Sequence, residues 1–211
     1  MGDERRFYEA PAEGTRRSAP AALRNREPIS KVLTEWLPNK GLIVEIASGT
    51  GEHSAYFAEH FQTLDWQPSD VHPDALVSIN AWRDQSGLAN LRPPLIIDAA
   101  DSDWPIDHAE GMLCINMVHI SPWKSALGLL DGAKRLLSSG APLILYGPWL
   151  RADASTAPSN LAFDADLRGR DPEWGLRKVE DFAAAAKERS FVLHELRTMP
   201  ANNLMLLFRH T

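Results

Sequence analysis

The sequence has few of the features that mark secreted or membrane proteins. Cys114 is its single cysteine among 211 residues, so no disulfide forms within the chain, which fits a reducing compartment. No apolar run approaches the roughly 20 residues needed to cross a bilayer. Residues 1–20 lack the apolar centre of a secretory signal. We therefore expect a cytoplasmic protein with no membrane partner, and we interpret Cys114 as a buried, inert thiol.

Positive charge is also scarce. The 22 Lys and Arg residues face 28 Asp and Glu residues, which gives a net charge of −6. Dedicated nucleic-acid binders show a basic surface that this composition does not provide. Cysteine, histidine and carboxylate residues show no metal-binding spacing. We expect neither a nucleic-acid partner nor a metal, and the oligomeric state stays open.

Apolar residues are plentiful, at 44% of the chain, and this is enough to build one substantial core. Residues 1–20 are polar and irregular, which predicts a flexible arm, and residues 21–211 are predicted to form a single domain. The apolar spacing in that domain predicts helices over 25–37, 51–61, 72–87, 122–140 and 178–190. It predicts strands over 42–47, 64–70, 94–99, 111–120 and 141–149, with two terminal strands over 191–200 and 202–210.

Alternating strands and helices predict a parallel sheet covered by helices on both faces. The runs "LIVEIA", "PLII" and "PLILY" are apolar throughout, as in strands that are buried on both faces. The last two strands are too close in sequence for a parallel crossover, so they should pair antiparallel. The expected fold class is α/β, a Rossmann-like doubly wound sheet of seven strands, mostly parallel, with an antiparallel C-terminal hairpin.

Residues 150–177 show no regular period and are rich in Pro, Asp, Arg and Gly. The segment is too long for an ordinary connection. We interpret it as an insertion or lid beside a ligand site; the alternative is a surface excursion held by Arg–Asp pairs.

A polar cluster follows the first buried strand, in "EIASGTG". Glu45 lies near the strand end, and Gly49 and Gly51 follow it. Ligands of doubly wound sheets bind at the carboxyl ends of the strands, and glycine lets a backbone turn sharply and approach a ligand closely. A strand-to-helix turn without a ligand is the alternative, because the motif is weak by itself.

Other predicted strands also carry polar residues at their carboxyl ends. Asp70 ends the second strand, Asp98 with Ala99 ends the third, and Asn116 lies within the fourth. Buried polar groups need partners, and these groups should converge on one crevice. Asp70 alternatively caps the next helix.

Several motifs together resemble a methyltransferase-like family found in bacteria and animals: "RNREPI", "EIASGTGEH", "WQPSD", "INMVHISPW", "LYGP" and "MPANNLML". The resemblance runs from about residue 18 to the C-terminus and implies a class I methyltransferase that uses S-adenosylmethionine (SAM). The loop of such enzymes has glycine at the position that Ala47 occupies in this sequence. Glu45 would meet the methionine ammonium, Asp70 the ribose hydroxyls, and Asp98 the adenine amino group.

The resemblance also implies that the backbone after Asp98, at Ala99, meets the adenine ring. Asn116, placed by its position in the fourth strand, is a further candidate in the same crevice. "LRNREPI" should fold over the site and bring Asn25 or Arg26 to the methionine carboxylate; helix capping by Asn25 is the alternative.

The resemblance supplies no methyl acceptor, and we expect a small molecule. His119 is the candidate general base, because a histidine titrates near neutral pH; a hydrogen bond to the next helix is the alternative. Tyr146 and Trp149 form either an aromatic wall for the acceptor or part of the core. Asn160 and Arg168 are the candidates in 150–177, since a guanidinium grips two oxygens at once.

Two other functions remain. One is a SAM-binding protein without turnover. The other is a nicotinamide-dependent oxidoreductase, which is disfavoured because Ser54 replaces the third glycine and no Tyr/Lys pair is suitably placed.

Overall fold

Seven strands form one sheet in the computed structural model, which describes residues 16–211. The strands are β1 (Gly41–Ile46), β2 (Leu64–Asp70), β3 (Leu95–Ile96), β4 (Gly111–Ile115), β5 (Pro142–Gly147), β6 (Phe191–Met199) and β7 (Asn203–His210). Their order is β3-β2-β1-β4-β5-β7-β6. β7 pairs antiparallel with both of its neighbours, and the other pairs are parallel. The predicted fold class is confirmed.

Six α-helices lie within residues 16–211. They are α1 (Pro20–Trp36), α2 (Glu52–His60), α3 (Pro73–Ser86), α4 (Trp123–Leu136), α5 (Pro158–Arg170) and α6 (Val179–Lys187). None of the helices in this part of the chain is long and apolar enough to cross a membrane.

The core has two layers because the side chains of a strand alternate between the faces of the sheet. In β5, Leu143 and Leu145 pack with α4 and α6, whereas Ile144 and Tyr146 pack with α1 and α2. Both layers are apolar and fully enclosed, which explains the uninterrupted apolar runs of the parallel strands.

Helix α1 begins five residues before the predicted start. Pro20 stands in its first turn and Pro28 lies inside it, and its buried stripe reaches back to Ala22. Residues 16 and 17 of the predicted arm lie against α3, where the backbone N–H of Arg17 donates to Ser78 Oγ at 2.9 Å. The rest of the arm, residues 1–15, lies outside the described residues.

The prediction of an irregular segment over 150–177 was wrong for residues 158–170, which form α5. The buried residues of α5 are Asn160 and Leu167. Two positions do not make a recognisable apolar stripe, so this helix could not be predicted from the sequence.

Three strands are clearly shorter than predicted: β5 spans Pro142–Gly147 instead of 141–149, and β3 and β4 lose more. β3 is reduced to Leu95–Ile96. β4 ends at Ile115, and Asn116 was wrongly placed inside it. Asn116 adopts a left-handed conformation (φ 62°), which takes the chain out of the ladder and into a 3₁₀ turn over Met117–His119.

Candidate cofactor and acceptor site

The loop between β1 and α2 turns through left-handed backbone conformations. Ala47 and Gly49 both have φ of 57°, and Gly51 has φ of 83°. Glycine adopts this region freely, whereas a residue with a Cβ is strained there by about 1 kcal/mol or more. Ala47, at the position of the first glycine in the class I methyltransferase loop, therefore carries strain at the carboxyl end of β1.

Gly51 is also required by packing. A Cβ at this position would lie 2.8 Å from Cα of Ile79 on α3. The missing side chain therefore lets α3 approach the loop and hold the start of α2.

Glu45 lies beneath this loop and is 1% exposed. Its Oε2 accepts hydrogen bonds from Ser54 Oγ at 2.8 Å and from Trp66 Nε1 at 2.7 Å. Burial raises the pKa of Glu45 to about 7, although the bonds from Trp66 and Ser54 act in the opposite direction. Both of these donors are neutral, so the carboxylate is buried beside groups that do not balance its charge.

Asp70 ties the loop to the end of β2. Its Oδ2 accepts the N–H of Gly49 and its Oδ1 accepts the N–H of His72, each at 2.9 Å. Burial raises the pKa of Asp70, and these two bonds oppose the rise. The bond to His72 is an Asx turn that precedes α3 and does not cap the helix, whose N-cap residue is His72 itself. The bond to Gly49 brings the carboxylate to the glycine loop.

The residues after β3 are held by a close approach of α4. A Cβ on Gly128 would lie 2.0 Å from the carbonyl oxygen of Ala99. Asp98 is partly exposed, and its Oδ1 accepts the N–H of Ala100 at 2.8 Å. Trp104 is buried and donates to the carbonyl of Asp98 at 3.1 Å. Because β3 pairs parallel with the end of β2, at Asp70 and Ile96, Asp98 and Ala99 lie at the same carboxyl edge of the sheet as Glu45 and Asp70.

Glu52 is a site residue that the sequence reasoning missed. It is fully buried at the first position of α2, directly after Gly51. It accepts hydrogen bonds from Ser18 Oγ at 2.6 Å and from the N–H of Ala19 at 3.2 Å, and it pairs with Arg26 at 3.3 Å. The acidic residue in "GEH" was the available signal. Glu52 brings the start of α1, with Arg26, next to the glycine loop.

Tyr146 lies on the α1 side of β5. Burial raises the pKa of Tyr146, and the nearby side chain of Asn25 opposes the rise. Asn25 Oδ1 in turn lies 2.7 Å from His53 Nε2 on α2. Tyr146 therefore belongs to a polar contact between α1, α2 and β5, in the core layer opposite Trp149.

His119 lies in the 3₁₀ turn after β4 and is fully buried. Its Nδ1 accepts the backbone N–H of Arg177 at 3.3 Å, so the neutral ring carries its proton on Nε2. Burial, with a contribution from the nearby Arg177 charge, lowers the pKa of His119 to about 3. A Cβ on Gly147 would lie 2.5 Å from Nε2 and 3.3 Å from Asn116 Oδ1. Asn116, His119 and Gly147 therefore meet at the ends of β4 and β5.

Trp149 and Asn160 line one cavity of about 170 Å³, together with Thr156 and Asn202. Asn160 Nδ2 donates to the carbonyl of Asn202 at 2.9 Å. The structure thus brings together two of the three predicted acceptor residues.

Arg168 is elsewhere. It lines a different cavity with Lys178 and Asp181, and it pairs with Asp164 at 3.0 Å. This pair and the Arg151–Asp153 pair are of the kind that the surface-excursion alternative requires.

No group of three or more His, Cys, Asp or Glu side chains in residues 16–211 is arranged to hold a metal ion. Cys114 is buried, and burial raises its pKa to about 12, which makes its thiol unreactive.

The fold resembles that of solved methyltransferases. An O-methyltransferase family protein from Burkholderia thailandensis matches with a TM-score of 0.76 and 15% identity, over 90% of this chain and 57% of that chain. CalO1, a methyltransferase in calicheamicin biosynthesis in its SAH-bound form, matches with a TM-score of 0.75 and 9% identity, over 90% and 54%. An O-methyltransferase family 2 protein from Planctomyces limnophilus DSM 3776, in complex with apigenin, matches with a TM-score of 0.70 and 16% identity, over 89% and 61%.

These structures define the class of fold, a Rossmann-like methyltransferase fold, and this chain spans a little over half of their length. The chain belongs to the family described as a protein of unknown function, DUF938, whose model matches residues 16–210.

Proposed function

We propose that the protein is a SAM-dependent methyltransferase that acts on a small molecule in the cytoplasm. One observation carries the proposal: a loop with left-handed backbone at Ala47, Gly49 and Gly51 is held by Asp70 above the buried Glu45. A carboxylate that is buried among neutral donors is stabilised by a cation, and the methionine ammonium is one.

The assignments follow from position. Glu45 binds the ammonium, Arg26 lies near the carboxylate of the methionine, and Asp70 accepts from the ribose. Asp98 and the backbone at Ala99 meet the adenine, and Asn116 closes the crevice beside β4.

SAM supplies an electrophilic methyl group on its sulfonium sulfur. The protein's part is to align the acceptor in line with that bond and to exclude water. His119 is a weak base because burial keeps its pKa low, so its contribution is to orient an acceptor by donating from Nε2. Tyr146 lies near Asn25, and we assign it to the wall of the site.

Calorimetric titration tests the cofactor. We expect SAM and SAH to bind and NAD⁺ not to bind, whereas binding of NAD⁺ alone would favour an oxidoreductase. Gly49→Val should abolish SAH binding, because a branched Cβ occupies ligand space and restricts the turn. Gly140→Val is the matched control: its φ is 81°, and a Cβ there meets nothing within 4 Å, at the opposite end of β5.

Turnover requires a second measurement. SAM should be converted to SAH when the protein is incubated with a small-molecule fraction of a cell extract. SAH binding without any such conversion would identify a SAM-binding protein without turnover.

A further inference from the structure

Two buried donors without partners lie side by side at the carboxyl ends of β4 and β5. Among the side chains of residues 16–211, His119 Nε2 and Trp149 Nε1 are the buried polar atoms that have no hydrogen-bond partner. The two rings are in edge-to-face contact, with centroids 4.7 Å apart. A buried donor without a partner costs about 1–3 kcal/mol, so an accepting group is expected beside them. Of the two residues, Trp149 lines a cavity.

We propose that the cavity lined by Trp149, Asn160 and Asn202 holds the methyl acceptor, and that the acceptor is a small carboxylic acid whose oxygen receives the Trp149 indole N–H. This inference rests on the proposed methyltransferase function.

The donors decide the chemical class. An indole N–H only donates, and His119 also donates, because Arg177 fixes the proton of the neutral ring on Nε2. An ammonium group carries donors alone and would leave the Trp149 N–H unsatisfied. A carboxylate carries two oxygens with about four accepting lone pairs, and so it satisfies more than one donor.

The charge of the lining agrees with an anion. Arg151 is the one charged residue that lines the cavity, and no carboxylate lines it. Arg151 donates hydrogen bonds from Nε and Nη2 to the carboxylate of Asp153. Its Nη1 takes no part in that ion pair. The amide nitrogens of Asn160 and Asn202 donate to the carbonyl of Asn202 and to Ser159 Oγ, and each has one further N–H. An oxygen-rich molecule is therefore compatible with the lining.

The size of the cavity suits a small acceptor. Its volume is about 170 Å³, and a cavity of about 150 Å³ accommodates one benzene-sized molecule. A single small acid therefore fits.

The test uses ¹⁵N-labelled protein saturated with SAH, and benzoate, benzamide and benzylamine as probes. These share one ring and differ in charge. We expect benzoate to shift the Trp149 indole N–H resonance saturably, to bind at least about tenfold more tightly than benzamide, and benzylamine to have no effect. Equal binding of the three probes, or no shift with benzoate, would overturn the inference.

Variants separate recognition from folding. Trp149→Phe keeps the ring and removes the N–H, and should weaken benzoate about tenfold. Trp36→Phe is the matched control: Trp36 is equally buried but donates to Glu195 at 3.1 Å, far from the cavity, and should leave benzoate binding unchanged. Thr156→Asp places a carboxylate at the cavity without removing a buried side chain, and should weaken benzoate more than benzamide.

The two hypotheses fail differently. Loss of the carboxylate response in a protein that still binds SAH by calorimetry contradicts only the acceptor class. Failure to bind SAH contradicts the methyltransferase proposal.

Discussion

Glu45 shows how one buried side chain couples ligand binding to stability. Between its ordinary value of 4.5 and the folded pKa of about 7, the folded protein binds more protons than the unfolded chain. The free energy of unfolding therefore falls as pH rises through this window.

Glu45→Gln removes that titration and keeps the shape of the side chain. At pH 8 we expect the ligand-free variant to be more stable than the wild type by up to about 3 kcal/mol, with little difference at pH 4.5. Urea unfolding at both pH values measures this. SAH binding should weaken at the same time, because the neutral amide does not balance the ammonium. The same stability difference at both pH values would contradict the assignment.

His119 is expected to stay neutral from pH 8 to pH 5. Because burial lowers its pKa to about 3, the stability that it contributes is present above about pH 6.5 and is lost as pH falls from there towards 3. Nitrogen chemical shifts of the ring, recorded against pH, check this. A midpoint between pH 6 and 7 would restore His119 as a general base.

At the scale of elements, Gly51 joins the glycine loop to α3. Gly51→Ala adds both a strained φ and a clash with the backbone of Ile79, whereas Gly87→Ala adds only the strain, because a Cβ there meets nothing within 4 Å. We expect the first variant to lose about 1–3 kcal/mol more than the second and to weaken SAH binding. Chemical unfolding and calorimetry measure the two effects. Equal losses would show that Gly51 serves the turn alone.

Segment 150–177 divides into an anchored and an exposed part. The Arg177 side chain donates to the carbonyls of Val118 and Ser121, and the N–H of Gly175 donates to the carbonyl of His119 at 2.9 Å. Residues 152–155 are exposed.

Hydrogen exchange should therefore find residues 152–155 fast in the free protein and slower with SAH and an acceptor bound, while Gly175 stays protected in both states. Uniform protection of the whole segment in the free protein would show that it is not a lid.

Local signals in the sequence determined which elements were predictable. Apolar runs and glycines predicted the strands and the loop around Glu45 and Gly51, because both reflect burial and backbone conformation within a few residues. Helix α5 was missed because it buries few side chains. The partners of Glu52 and His119 were not predictable, since they come from residues 34 and 58 positions away.

At the scale of the whole molecule, β7 supports the second half of the sheet. It lies between β5 and β6 and carries Met205, Leu206 and Phe208 into both core layers. A chain that ends at Met199 leaves β5 with an unpaired edge. We expect this truncation to prevent cooperative unfolding, as seen by circular dichroism, and to abolish SAH binding. A truncated chain that retained both would show that the first five strands fold alone.

The position of β7 has a consequence for synthesis in the cell. Every other element of the sheet precedes it along the chain, and a ribosome adds about 5–20 residues per second. The parallel half of the sheet therefore leaves the exit tunnel first and waits with β5 unpaired and apolar. The unpaired edge of β5 is then open to other strands, and the sheet is completed only when β7 has emerged.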